Sequence, residues 1–227
     1  MAEDAIFFPR GQRRRAVTMR HARRAFPEHP AMSTDRDRLR RELRARRREL
    51  PAAQRIAAAD ALAARLLDLP FAPERGYVAG YWAMDGEIAL HAWQLKLLRG
   101  CVYCLPVLGD GDTLRFAPWR PGDALATNRF GIPEPDVEPT SALPASEMAL
   151  VAMPLVGFDA NGTRLGMGGG WYDRSFAFRQ TSPAPPWLVG VGFEAQRVDK
   201  IDVEAWDVRA DAICTEANTY TTTGAFA

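Results

Sequence analysis

Histidine and cysteine are scarce in this sequence, with three of each among 227 residues, and with them go the side chains of most simple catalytic and metal centres. Cys101, Cys104 and Cys214 are too few for a disulfide scaffold, so a reducing cytoplasm is the simplest setting. Cys101 and Cys104 have the spacing of a redox pair, but they fall in the strand-like run from Cys101 to Val107. Residues three apart on a strand face opposite sides, so both read as core cysteines. The histidines are His21, His29 and His91, and no Ser/His/Asp or Cys/His set can be assembled from them. No apolar run approaches the roughly 18 residues of a membrane span; the longest, 148–158, is interrupted by Pro154 and reads as a buried strand.

Net charge is also small, +1, but unevenly spread. Residues 1–31 carry seven arginines against Glu3, Asp4 and Glu28, a net of +4, which leaves −3 on the rest. Any nucleic-acid role would therefore rest on the first 31 residues, and for the body of the chain none is expected. That stretch admits three readings: a disordered basic arm, a targeting peptide, or sequence upstream of the true start. Its early acids count against a transit peptide. Met32 is followed at once by Ser33-Thr34-Asp35 and a helical pattern, which favours a start at Met32 and a single α/β domain over 32–227.

The helical text from Thr34 places Leu39, Leu43 and Leu50 near one face and fills most of the rest with Arg36, Arg38, Arg40, Arg41, Arg44, Arg46, Arg47 and Arg48. Such a run is usually a solvated face, although Arg36 and Arg40, one turn apart, could jointly meet a polyphosphate. Pro51 opens a second helix. A strand, Tyr77 to Trp82, leads to Asp85-Gly86-Glu87 and a helix from about Ile88 to Leu98. Carboxylates at the carboxyl end of a strand stand where α/β folds bind ligands. Asp85 reads as turn chemistry, and Glu87 either as a ligand contact or as an acid favoured by a helix N-terminus.

Strands follow at Cys101 to Val107 and Leu114 to Trp119, with a turn at 110–112 and a loop at 122–135. The connection from about 120 to 146 is long enough to suggest function. Later strands are read at Trp187 to Phe193 and at Ala212 to Thr215, the last of the chain. Strands alternating with helices indicate helices on both faces of a largely parallel sheet. Trp82, Phe116, Trp119 and Phe130 read as core aromatics or as walls for a flat ligand.

The densest feature is the stretch from Asp159 to Arg174, with Gly162, Gly166, Gly168, Gly169 and Gly170 between an apolar run and Ser175 to Phe178, which reads as a helix. Strand, glycine loop and helix in that order make an anion site, because glycines let backbone N–H groups crowd a phosphate. Arg164 and Arg174 add cations, and Asp173 a hard oxygen of the kind Mg²⁺ prefers. The spacing matches neither a P-loop nor a dinucleotide fingerprint, so a simple tight turn is the competing account.

An ordered set of these stretches resembles the 5-formyltetrahydrofolate cyclo-ligase family, also called methenyltetrahydrofolate synthetase. The set comprises Leu39-Arg40, Gly86-Glu87-Ile88, Gly131 to Pro135, Gly162 to Arg174, and Trp206-Asp207 through Thr215-Glu216, covering about 34–216. The resemblance implies an enzyme of three-layer α/β/α build, similar to the NagB/RpiA/CoA-transferase folds; a monomer is expected. Its implied reaction is ATP-dependent closure of 5-formyltetrahydrofolate, with or without a polyglutamate tail, to 5,10-methenyltetrahydrofolate. It further implies ATP contacts at Arg36, Arg40, Arg164, Gly166, Met167, Gly168, Gly169, Gly170, Trp171 and Tyr172, with Arg164 and Tyr172 catalytic. Mg²⁺ ligands are implied at Asp173 and Asp207, and substrate contacts at Glu87 and Gly168 to Gly170.

To this the aromatic content adds Trp82 and Trp119 as pocket walls. Two positions depart from the family pattern: Arg36 where lysine is frequent, and Trp171-Tyr172 where a tyrosine pair is frequent. A related enzyme acting on another ATP-activated substrate and a non-catalytic folate or nucleotide sensor are the alternatives. The intact mass of protein purified from its natural source checks the start: a mass beginning at Met32 is expected, and one that includes residues 1–31 overturns it.

Overall fold

The computed structural model describes residues 34–109 and 111–222, so the readings made for residues 1–31 lie outside the described residues. Helix α1 spans Thr34–Glu49, with Asp35 and Asp37 in its first turn and Arg46, Arg47 and Arg48 in its last, the charge order that a helix dipole favours. Pro51 then sits at the N-cap of α2, Ala52–Leu67, whose Ala58, Ala59, Leu62, Ala63 and Leu66 form a buried stripe at helical spacing.

The remaining elements are β1 (Arg75–Ala79), α3 (His91–Lys96), β2 (Gly100–Leu108), β3 (Leu114–Pro118), β4 (Leu125–Thr127), β5 (Pro133–Pro135), β6 (Met148–Pro154), β7 (Gly157–Phe158), β8 (Arg164–Leu165), α4 (Trp171–Ser175), β9 (Trp187–Val191), β10 (Ala212–Cys214) and β11 (Thr219–Thr221). Seven strands form one sheet in the order β11-β10-β9-β6-β1-β2-β3. The pairs from β10 through β2 are parallel, while β11 and β3 close the edges antiparallel.

Strand alternation sorts the core onto two faces. Leu150 and Ala152 of β6 join Val78, Leu105 and Val189 under α2 and α3. Val151 and Met153 join Cys104, Leu188, Ile213 and Phe176 on the other face, next to α4 and a 3₁₀ turn at Ala177–Gln180. This is the expected α/β arrangement with cover on both sides. Cys101 packs with the first group and Cys104 with the second; all three cysteines are free, and burial pushes Cys104 up to about 12 and Cys214 to about 11. Among the described residues, no helix is long and apolar enough to cross a membrane.

Several boundaries differ from the sequence-based expectations. The apolar run 148–158 is two strands, because β6 ends at Pro154 and β7 turns away to pair antiparallel with β8. The supposed loop 122–135 contains the β4–β5 ribbon, disguised by prolines that a two-stranded edge tolerates. Ala212 to Cys214 is followed by β11, whose Thr-Tyr-Thr is too polar to announce a strand. The helix expected from Ile88 shrinks to His91–Lys96, and the one expected at Ser175 starts earlier, at Trp171.

β1 connects to β2 on one side, whereas β6 lies on its other side. The crevice at the carboxyl ends of β1 and β6 is thus a topological switch point, the usual ligand position in such sheets. The hairpin that follows β6 is anchored by Asp159, which is 1% exposed. Its Oδ1 accepts the N–H groups of Asn161 (2.9 Å) and Thr163 (3.1 Å), and its Oδ2 that of Ile201 (3.1 Å). Asp159→Ala should cost about 3 kcal/mol or more by leaving buried amides unsatisfied. An unfolding free energy from urea titration lowered by less than about 1 kcal/mol would refute that anchoring role.

Candidate functional site

β8 places Arg164 just before the glycine loop with only 6% of its surface exposed. A buried guanidinium needs a counter-charge. Asp173, in the first turn of the following helix, provides it: Arg164 Nη2 donates to Asp173 Oδ1 at 2.5 Å. The same oxygen accepts the N–H of Val208 at 3.2 Å, which draws in the 204–208 turn. In that turn Asp207 Oδ2 accepts the N–H of Glu204 (2.9 Å) and Nη2 of Arg36 (3.1 Å) from α1. Arg36 also lies 3.7 Å from Glu204. One turn along α1, Arg40 donates from Nε to the carbonyl of Gly166 (3.0 Å) and from Nη1 to Asp37 (2.6 Å).

Arg36, Arg40, Arg164, Asp173 and Asp207 therefore converge from four segments of the chain. Among the described residues, the buried Nε atoms of Arg36 and Arg164 have no hydrogen-bond partner. Each is an unspent cationic donor in a low-dielectric setting, where an anionic oxygen would be bound most strongly.

The loop itself is open: Met167, Gly168 and Gly169 are exposed. Gly168 (φ +98°) and Gly170 (φ +64°) hold backbone conformations that other residues resist. A Cβ on Gly170 would also stand 2.6 Å from the Arg174 guanidinium, which donates to the Gly169 carbonyl at 2.8 Å. α4 has five residues, so its dipole is small, and the attraction for an anion comes from the arginines rather than from a helix end. Trp171 is packed by Phe130 (ring centroids 5.7 Å apart) and lies within reach of the Arg129 and Arg174 cations (5.2 and 5.4 Å). Phe130 and Arg129 come from the β4–β5 turn, so the long 120–146 connection reaches this cluster.

The second half of the site lies beyond β1. Glu87 has 12% of its side chain exposed. Its Oε2 accepts the N–H of Met84 at 2.9 Å, and Oε1 lies 3.7 Å from Nη1 of Arg47. Burial raises the Glu87 pKa, against the lowering effects of the Met84 hydrogen bond and Arg47. The Glu87 charge in turn helps burial to raise the phenols of Tyr81 and Tyr172, so Tyr172 remains a neutral donor and is no base. That mutual influence connects Glu87 to the Arg164 end, where the guanidinium carbon lies 6.0 Å from the Tyr172 ring centre. Trp82 and Trp119 are half-buried and meet edge to face at 5.7 Å.

Among the described residues no group of three or more His, Cys, Asp or Glu could hold a metal. Asp173 and Asp207 alone would leave most coordination positions to water and phosphate oxygens, which is the habit of Mg²⁺. A recess of about 340 Å³ lies elsewhere, between α2 and the segments after β9 and β10, and none of the sequence-predicted site residues lines it.

Two features escaped the sequence. Arg47 is fully buried, not on a solvated face, and Asp85 is the acceptor for Arg44, Arg47 and Arg48 together. The spacing of those three arginines, three, four and one apart, was the available signal, since it puts them on adjoining faces of one helix end.

Comparison with known proteins gives a consistent picture. Residues 32–216 match the model of the 5-formyltetrahydrofolate cyclo-ligase family. The chain is similar to the protein named 5-formyltetrahydrofolate cyclo-ligase from Haemophilus influenzae, with 36% identity over 177 residues, covering 76% of this chain and 93% of that one. Its counterpart of the same name from Escherichia coli K12 is 34% identical over 181 residues, covering 78% and 98%. Among solved structures, the 5,10-methenyltetrahydrofolate synthetase of Aquifex aeolicus superposes with a TM-score of 0.70 at 26% identity, covering 83% of this chain and 93% of that one.

Arg36→Met should release the start of α1 from the 204–208 turn. Hydrogen exchange is expected to speed up over residues 34–40 and 204–208 while sheet amides keep their protection; unchanged exchange in both segments would show that the ion pair does not hold them.

Proposed function

The chain belongs to the 5-formyltetrahydrofolate cyclo-ligase family, and we propose that it closes 5-formyltetrahydrofolate to 5,10-methenyltetrahydrofolate while ATP is converted to ADP and phosphate. The observation that carries the ATP half of this reading is the pair of buried, unpartnered Nε donors on Arg36 and Arg164 beside two carboxylates. Such a cluster suits a polyphosphate with a divalent cation better than any neutral ligand.

An N-formyl group is amide-like, so its carbon is a weak electrophile and its oxygen a poor leaving group. Transfer of the γ-phosphoryl group to the formyl oxygen makes that oxygen a leaving group. N10 then attacks the formyl carbon, the C–O bond breaks, phosphate departs with the oxygen, and the N10 proton passes to solvent. The protein's share is positioning and charge neutralisation, as in other phosphoryl transfers. Arg36, Arg40 and Arg164 take phosphate charge, and the open backbone of Gly166 to Gly170 admits the phosphates. Trp171 and Tyr172 border them, and the Tyr172 hydroxyl serves as a hydrogen-bond donor.

Mg²⁺, held by Asp173 and Asp207, would supply further neutralisation of the phosphate oxygens. Those carboxylates also neutralise Arg164 and Arg36, so neither buried cation depends on the nucleotide for a partner. Glu87 accepts donors from the pterin ring, and Trp82 and Trp119 wall its plane.

Incubation with 5-formyltetrahydrofolate and Mg-ATP should produce the absorbance of the methenyl product; bound folate without product would leave a sensor in place of an enzyme. Asp173→Asn should lower turnover by about 100-fold or more, the equivalent of one lost charged contact in the transition state. Arg164 loses its counter-charge in this variant, so the urea midpoint should fall as well, and turnover is compared where circular dichroism shows both proteins folded. Near-normal turnover would remove Asp173 from the metal site.

A further inference from the structure

α1 is a single 16-residue helix that serves both halves of the site. Its first two turns carry Arg36 and Arg40. Two turns later Arg44, Arg47 and Arg48 close on the loop that leads from β1 to Glu87. Arg44 donates to Asp85 Oδ2 (2.8 Å) and Arg48 from Nε to Asp85 Oδ1 (2.7 Å). These two, both open to solvent, already satisfy the Asp85 carboxylate.

Arg47 differs from them. It is 0% exposed and spreads its donors over two segments, those that follow β1 and β6. Nε reaches the Asp85 carbonyl (3.1 Å), Nη2 the Asp85 carboxylate (3.0 Å), and Nη1 the carbonyl of Leu155 just after β6 (3.4 Å). Nη1 is also the cation 3.7 Å from Glu87. One guanidinium thus spans the crevice between the ends of β1 and β6 and grips the chain on both sides of Gly86. Asp85 (φ +51°) and Gly86 (φ +77°) are consecutive left-handed residues, a sharp turn that aims Glu87 back at the crevice. Two carboxylates face three arginines here, and the surplus positive charge belongs to the buried one.

We propose that Arg47 is a positioning residue for substrate recognition: it fixes the Asp85-Gly86 turn and acts as the buried counter-ion that keeps Glu87 charged and aimed at the pterin ring. This rests on the assignment of Glu87 to the pterin made above. A carboxyl group accepts the ring N–H and amino donors of a pterin together, one on each oxygen, only while ionised, since protonation turns one oxygen into a donor, and Glu87 is buried enough to resist ionisation. The groups that face it are Arg47 and Arg44 from α1, Asp85 from its own loop, Tyr81 after β1 and Tyr172 from α4, with Tyr103 of β2 behind the two tyrosines. The arginines favour its charged form and Asp85 opposes it.

The sign of each effect can be tested. Folate binding should fail as pH falls through the Glu87 pKa. Loss of Arg47 raises that pKa and moves the failure to higher pH; loss of the Asp85 charge lowers it and moves the failure to lower pH. The measurement is the calorimetric dissociation constant for 5-formyltetrahydrofolate across the acid-to-neutral range, beside that for Mg-ADP.

Glu87→Gln should abolish the acid limb. Arg47→Met should shift it upward by about one pH unit and weaken folate binding by about tenfold, with Mg-ADP binding unchanged. Arg47→Lys should restore the limb while leaving folate weaker, because an ammonium cannot span the same acceptors. Asp85→Asn keeps a residue that tolerates the left-handed turn and should shift the limb downward, so it decides the matter even if Arg47→Met does not fold. Parallel losses of folate and Mg-ADP affinity, or a limb unmoved by the Arg47 and Asp85 changes, would make Arg47 a purely structural pairing. A limb that survives Glu87→Gln would overturn the pterin assignment itself, and this proposal with it.

Discussion

The buried pairing of Arg164 with Asp173 is the constraint on which the candidate site is built. A guanidinium with 4% of its side chain exposed is tolerable only beside a carboxylate, and that requirement ties β8 to α4 across the whole glycine loop. Because Asp173 Oδ1 also binds the amide of Val208, the 204–208 turn is held in the same grip and carries Asp207 to Arg36. Remove the charge at residue 173 and three segments lose their common point, while the sheet beneath keeps its own core.

That core supports the site without taking part in it. Parallel strands covered on both faces put their carboxyl ends at one edge, and the reversal of strand order beside β1 opens a crevice there. The loop after β1 brings Glu87 to one side of the crevice and the hairpin after β6 brings Arg164 to the other. On the proposed assignment, the nucleotide and the pterin would meet over a rigid floor, which is what a transfer between them needs.

Much of this was legible in the sequence because the relevant signals are local. Glycines between charged residues, carboxylates at strand ends and a helix with Arg36 and Arg40 one turn apart all declare themselves within a few residues. Three things were not legible, one because its partners are distant in sequence and two because their own residues carry no strand signal. Arg47 sits among seven similar arginines of α1, and only the approach of Asp85 and Leu155, 38 and 108 residues away, makes it the buried one. The β4–β5 ribbon pairs prolines at an edge, where propensity argues against a strand. β11 is polar throughout and owes its pairing to β10, not to any apolar pattern of its own.

The way α1 is attached has a further consequence. Apart from Leu43 and Leu39, which pack with Val156, Leu165 and Ile201 in a small cluster separate from the main cores, the helix is held mostly by guanidinium contacts. Such a segment can open as a unit at a free energy well below that of global unfolding. Opening it would dismantle the arginine cluster and the Glu87 clamp together, leaving the sheet folded. Added salt screens exposed pairs such as Arg48–Asp85 more than buried ones, so the helix should loosen gradually as ionic strength rises. On the proposed assignments both ligand-binding regions would then be gained or lost together, without any change in the fold that carries them.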